Sequence, residues 1–218
     1  GIRPETILKT GSSMKEILSK YANRINQSKV LEDLSLVDGG YFLVSAHREE
    51  NVDSEVNFKN LCETLNLLAK KYKKPIIFSV HPRTRKKIEI TNIKFDKSIQ
   101  FCKPFGLFDY LKLQTNAFCV LSDSGTITEE SSILGFPAVT MRNSHERPEG
   151  MDEGTVIMCG LAPEKVMKAI EVTVSQYKET KKPFRTIGDF NVDNVSKKVI
   201  KIILSYTDYV NREVWKKL

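Results

Sequence analysis

The feature that most constrains this chain is its alternation of short, unbroken apolar runs with longer stretches of helical period. YFLVSA at 41–46, PIIFSV at 75–80 and AFCVL at 117–121 are too short for helices and lack the polar alternate positions of a half-exposed strand. Strands buried on both faces read this way, and they belong to parallel sheets covered by helices. Residues 54–71 put Val56, Leu61, Leu65, Leu68 and Ala69 on one predicted helical face. Further strands fit 98–102, 137–141 and 155–159. Helices fit 106–115, 126–134 (stopped at Gly135) and 163–178. The stretch 179–191 reads as loop, and 192–206 with 206–218 as a bent helical pair. The expected fold class is α/β, a parallel sheet with helices on both faces. In such a sheet ligands sit beyond the carboxyl ends of the strands, at the topological switch point. The loops there begin at Ala46, His81, Ser122 and Arg142.

Composition narrows the partners. With 34 Lys and Arg against 27 Asp and Glu, the net charge is +7. The excess is scattered lysine at helix ends and loops, with no basic stripe interleaved with aromatics. An anionic small ligand is therefore expected and nucleic acid is not. No apolar run approaches the roughly 20 residues of a membrane span. The opening Gly1-Ile2-Arg3-Pro4-Glu5 has no signal-peptide character, which predicts a cytoplasmic protein beginning within a longer design. Cys62, Cys102, Cys119 and Cys159 form no C-x-x-C pair and read as reduced core thiols. His47, His81 and His145 lack metal-site spacing, so no metal or cofactor is implied.

Four loops carry the polar chemistry. In Ser122-Asp123-Ser124-Gly125-Thr126 a strand ends, small residues turn and a helix begins. Free N–H groups at a helix start bind anions, and Gly125 lets backbone approach a phosphate. Glu130, one turn on, is placed to hold a ribose. Thr126-x-x-Glu129 is equally a capping box that needs no ligand. Ala46-His47-Arg48-Glu49-Glu50-Asn51 puts His47 at the sheet edge, where it acts on a phosphate or caps local carbonyls; Arg48 and Glu50 can pair with each other. Arg142, His145, Glu146, Arg147 and Glu149 crowd one strand end, with Pro148 and Gly150 forcing a turn. An arginine fork there suits a diphosphate. His81-Pro82-Arg83-Thr84-Arg85 starts a turn with either a ligand-facing or a surface His81. Phe105 and Phe108, before Tyr110, read as core packing rather than base stacking.

Taken together, AHREEN at 46–51, SDSGTITEE at 122–130 and Arg142 with ERPE at 146–149 resemble the bacterial non-hydrolysing UDP-N-acetylglucosamine 2-epimerases in order and spacing. The resemblance implies a Rossmann-like domain, the second of a glycosyltransferase-B-type pair. It divides the chain into a linker and first helix (1–22), the UDP-binding domain (23–180) and C-terminal helices (181–218) that pack back on a missing N-terminal domain. It implies Ser124, Gly125 and Thr126 on the diphosphate with Arg142, Glu130 on the ribose, and backbone at Tyr110 near uracil. His47 and Arg147 would be the catalytic residues here, easing departure of UDP. The family reaction eliminates UDP across C1–C2 and re-adds it with C2 inverted, using acidic residues of the first domain. The expected partners are therefore a UDP-sugar, an N-terminal epimerase domain or chain, and, in the complete enzyme, a second copy of itself.

Two departures stand out. Thr126 follows Gly125 where the family has S-G-G, and HPRTRK replaces H-x-N-P, which weighs against activation by a second UDP-N-acetylglucosamine. SDSGTITEESSILGFPA looks closer to the capsular-polysaccharide branch that forms UDP-N-acetyl-L-fucosamine. Two other readings stay open: the C-terminal domain of a UDP-sugar glycosyltransferase, against which the H-E-R-P-E motif speaks, and a non-catalytic UDP-sugar-binding protein.

Overall fold

The computed structural model describes residues 2, 6–144 and 146–217. His145 and residues 3–5 of the linker lie outside them. In chain order the elements are α1 (Met14–Asn26), α2 (Val30–Asp33), β1 (Phe42–Ser45), α3 (Glu49–Val52), α4 (Glu55–Tyr72), β2 (Ile76–Ser79), α5 (Pro82–Ile90), β3 (Ile99–Cys102), α6 (Leu107–Thr115), β4 (Cys119–Ser122), α7 (Ile127–Leu134), β5 (Ala138–Thr140), α8 (Pro148–Asp152), β6 (Ile157–Met158), α9 (Pro163–Glu179) and α10 (Val195–Glu213). The six strands form one sheet in the order β3-β2-β1-β4-β5-β6, and every pairing is parallel. This is the doubly wound Rossmann order, with its reversal between β1 and β4.

Alternate residues of each strand feed opposite cores. Phe42, Val44, Ile76 and Phe78 meet Leu61, Leu65 and Leu68 of α4 and Val166 and Ile170 of α9. Leu43, Ile77 and Val120 meet Leu113 of α6 and Ile127 of α7 on the other side. Apolar residues at successive strand positions are what two covered faces require. Cys62, Cys119 and Cys159 are buried free thiols, and Cys102 is partly buried.

Four expectations change. Val56 is 68% exposed. It lies five residues, or about 140°, from Leu61 on the helix, and Phe58 and Cys62 complete the buried face instead. The turn expected at His81 is the whole helix α5. The first helix, expected to lie with the linker within 1–22, runs from Met14 to Asn26, so residue 22 falls inside α1. The C-terminal pair is one helix, α10, with no second helix after it among the described residues. Among the described residues no helix is long and apolar enough to cross a membrane.

Candidate functional site

Because the strand order reverses between β1 and β4, the loops that leave those two strands diverge and open a crevice at the carboxyl edge. β1 delivers His47 and Arg48, β4 delivers Ser122 to Thr126, and the loop after β5 brings Arg142, Glu146 and Arg147.

Asp123 ties these loops together from below. It has no solvent exposure. Its Oδ2 accepts from the backbone N–H of His47 and of Arg48, each at 2.9 Å, and from Asn51 Nδ2 at 3.1 Å. Asn51, itself buried, also donates to the Met141 carbonyl at 3.1 Å. One carboxylate and one amide thus pin the ends of β1, β4 and β5. Asp123 Oδ1 lies 3.1 Å from His47 Nδ1, close enough for an ion pair although not aligned as a hydrogen bond, and no other donor among the described residues reaches it. Burial pushes the Asp123 carboxyl up, but His47 and the Arg48 N–H pull harder and hold it below the usual carboxylate range. The Asp123 side chain raises His47 above the ordinary imidazole value, against partial burial and the charge of Arg48.

Above this floor sits the small-residue turn. The Ser124 and Thr126 hydroxyls are 3.0 Å apart, and Ser124 N–H donates to Ser122 Oγ at 3.1 Å. Thr126 is the N-cap of α7, yet its side chain caps nothing. The capping box is therefore not formed. The reason is competition: Glu129 gives one oxygen to Arg147 Nε at 2.5 Å and the other to the Ser12 hydroxyl. A guanidinium is the stronger partner for a buried carboxylate than a single amide.

The anion nearest the turn belongs to the chain. Glu146 bridges Arg48 Nη2 at 2.8 Å and Arg142 Nη1 at 2.9 Å. A Cβ on Gly125 would crowd this carboxylate, so a larger residue there would make the Glu146 side chain shift. Arg142, then Arg48, holds the Glu146 carboxyl below its ordinary value. Arg48 does not pair with Glu50: its Nε donates to the Asp123 carbonyl at 2.8 Å. Arg142 is almost fully buried, and its Nε has no hydrogen-bond partner among the described residues, with Glu50 3.8 Å away.

Further in, Glu130 is buried and accepts from Gln114 Nε2 at 2.6 Å. Burial pushes its carboxyl up. Tyr110 faces the same region from α6; burial first, then the charge of Glu130, pushes its phenol up. Alongside the turn, a groove of about 810 Å³ is lined by Ser12, Thr126, Glu129 and Arg147.

The structure thus gathers His47, Ser124, Gly125, Thr126, Arg142 and Arg147 at one edge, with Glu130 and Tyr110 behind. His81 does not join them. It is exposed, and its Nδ1 accepts the Arg83 N–H at 3.3 Å as the N-cap of α5. Phe105 packs into the core, and Phe108 lies against Tyr21 and under Arg24. Sequence reasoning quoted Asp123 and Asn51 only as loop residues. The one legible signal was a carboxylate, Asp123, two residues beyond the apolar run AFCVL.

Sheet order and edge chemistry define an α/β domain of Rossmann type with cations and a helix start converging at its switch point. Residues 1–204 match the model of the UDP-N-acetylglucosamine 2-epimerase family, and the chain belongs to that family. A UDP-N-acetylglucosamine 2-epimerase of Methanocaldococcus jannaschii is 37% identical over 169 residues, covering 76% of this chain and 46% of that protein. The solved structure of the Rickettsia bellii UDP-N-acetylglucosamine 2-epimerase superposes with a TM-score of 0.91 at 44% identity, over 100% of this chain and 58% of that one. The M. jannaschii enzyme in complex with UDP-GlcNAc and UDP gives a TM-score of 0.83 at 31% identity, covering 94% and 56%. The chain spans about half the length of the relatives it matches.

Proposed function

We propose that this chain is the nucleotide-binding C-terminal half of a UDP-2-acetamido-sugar 2-epimerase, inactive alone. The observation that carries this reading is the convergence of His47, Arg48, Arg142 and Arg147 on the uncapped start of α7. Cations and free N–H groups around a glycine are what a diphosphate requires. In this reading Ser124, Gly125 and Thr126 hold the diphosphate, Glu130 takes the ribose hydroxyls, and backbone near Tyr110 meets the base. Glu146 occupies the anion position until the ligand displaces it.

The chemistry then follows from charge. A base removes the C2 proton, the C1–C2 double bond forms, and the C1–O electron pair leaves with UDP. Re-addition with a proton delivered to the other face of C2 gives the epimer. His47 and Arg147 stabilise the departing diphosphate electrostatically. The base comes from a second domain, which exposed apolar residues of α10, among them Ile200, Ile203 and Leu204, are suited to dock. A cytoplasmic location and a homo-oligomeric complete enzyme belong to the same reading. The sugar of the capsular UDP-N-acetyl-L-fucosamine branch is the proposed specificity, on the strength of the loop sequence 122–138.

Calorimetric titration with UDP tests the site. Arg147→Ala should weaken binding about tenfold, whereas Arg85→Ala, whose side chain is engaged with the Phe101 carbonyl, should change it little. Glu130→Gln should also weaken binding. Equal losses for the two arginine variants would show that the diphosphate lies elsewhere.

A further inference from the structure

We propose that Asp123 is a positioning residue, which holds His47 as an imidazolium with Nδ1 toward the buried carboxylate and Nε2–H presented to the diphosphate. The geometry is specific. A carboxylate taken wholly out of water is costly unless each oxygen finds a donor or a cation. Oδ2 has three N–H donors. Among the described residues, Oδ1 has only His47 Nδ1, at 3.1 Å. Two of the three donors on Oδ2 are the backbone amides of His47 and Arg48. The carboxylate that faces the ring therefore also pins the backbone from which the ring projects, and the imidazole has little freedom to turn. Its side chain is 47% exposed, with Nδ1 beside Asp123. A carboxylate on Nδ1 sets the tautomer and leaves Nε2 as the working nitrogen.

The surrounding charges leave this pairing dominant. Arg48, on the same loop, opposes the imidazolium, but its guanidinium is engaged by Glu146 and the Asp123 carbonyl. Arg142, from the loop after β5, is paired with Glu146. Glu49 is paired with Arg83 of α5, and Glu50 is directed at Arg142. Asp123 is the acid in contact with the ring. The use of the His47 proton on a diphosphate rests on the function proposed above; the pairing itself does not.

The test uses the full chain and separates the two. Imidazole resonances of its three histidines are followed against pH by NMR, with His81→Gln and His145→Gln for assignment. His47 should titrate above the ordinary 6.5, and its neutral form should carry the proton on Nδ1. In Asp123→Asn, a near-isosteric change, the midpoint should fall to 6.5 or below and the tautomer preference should be lost. With UDP-N-acetylglucosamine, whose diphosphate diester does not titrate near neutrality, the variant should bind roughly tenfold more weakly near pH 7. It should approach wild type as the pH falls and both histidines become charged. A wild-type midpoint at or below 6.5, an unchanged midpoint in Asp123→Asn, or a binding loss equal at all pH values would overturn the proposal. If Asp123→Asn does not fold, the wild-type midpoint and tautomer decide it alone. If UDP-N-acetylglucosamine fails to bind wild type, the diphosphate role of the His47 proton falls, while the NMR arm still decides the pairing.

Discussion

At the scale of single residues, the edge of the sheet is a set of charges waiting for an exchange of partners. Glu146 holds Arg48 and Arg142 beside Gly125, the place the proposed function gives to a diphosphate. An incoming anion must displace this carboxylate, so Glu146→Gln should tighten UDP binding, by roughly threefold for a solvent-exposed charge. A loss of affinity in the same titration would make Glu146 a ligand contact instead. The His47–Asp123 pair also makes stability depend on pH. His47 is raised in the folded state, so its contribution is complete below its ordinary 6.5 and is lost as pH climbs through the higher folded value. Asp123 is lowered, so its contribution is complete above its ordinary 3.8 and is lost as pH falls through the lower folded value. The urea-unfolding difference between wild type and His47→Gln should therefore be greatest between 3.8 and 6.5 and shrink on either side. A flat difference would mean that the pair does not couple to folding.

At the scale of elements, α4 and α5 show what periodicity reveals and what it hides. Leu65 of α4 is 1% exposed and Val56 is 68% exposed, although both are apolar. Leu65→Ala should cost about 2–5 kcal/mol in chemical denaturation, and Val56→Ala no more than about 0.5 kcal/mol. Similar losses would mean that Val56 is covered in solution. Helix α5 was missed because PRTRKKIEI has four basic residues and only two isoleucines, so no apolar stripe marks it. Its start is nonetheless written in His81 as cap and Pro82 in the first turn, a preferred helix entry. The single α10 was read as a bent pair although apolar residues such as Val199, Ile203, Tyr206 and Tyr209 run on without a stop signal.

At the scale of the whole molecule, the chain spans about half the length of its relatives, and the proposed function gives it one wall of a cleft. Helix α10 is fastened at its start, where Glu16 accepts from Ser196 and Lys15 pairs with Asp193. Farther along, Ile203 at 56% and Leu204 at 76% exposure have no cover. A 19-residue amphipathic helix with its apolar side in water is suited to a docking partner. The isolated chain should show no exchange of the C2 proton of UDP-N-acetylglucosamine in deuterated water, and exchange should return when the N-terminal half of a relative is added. Turnover by the chain alone would refute the half-enzyme reading.

What the sequence determined by itself was the α/β class, the strand positions to within about two residues, and the loops that hold the polar chemistry. Those follow from local rules: continuous apolar runs, Gly135 closing α7, and small residues before a helix start. Which polar residue meets which was decided only in three dimensions. Asp123 and Asn51 are 72 residues apart, and so are linked only because β1 and β4 lie side by side. Glu129 gave up a capping role because folding brought Arg147 and Ser12 to it, and Arg48 chose Glu146 over its neighbour Glu50. Charge pairing is long-range and depends on burial, so a one-dimensional reading can list the partners but not match them.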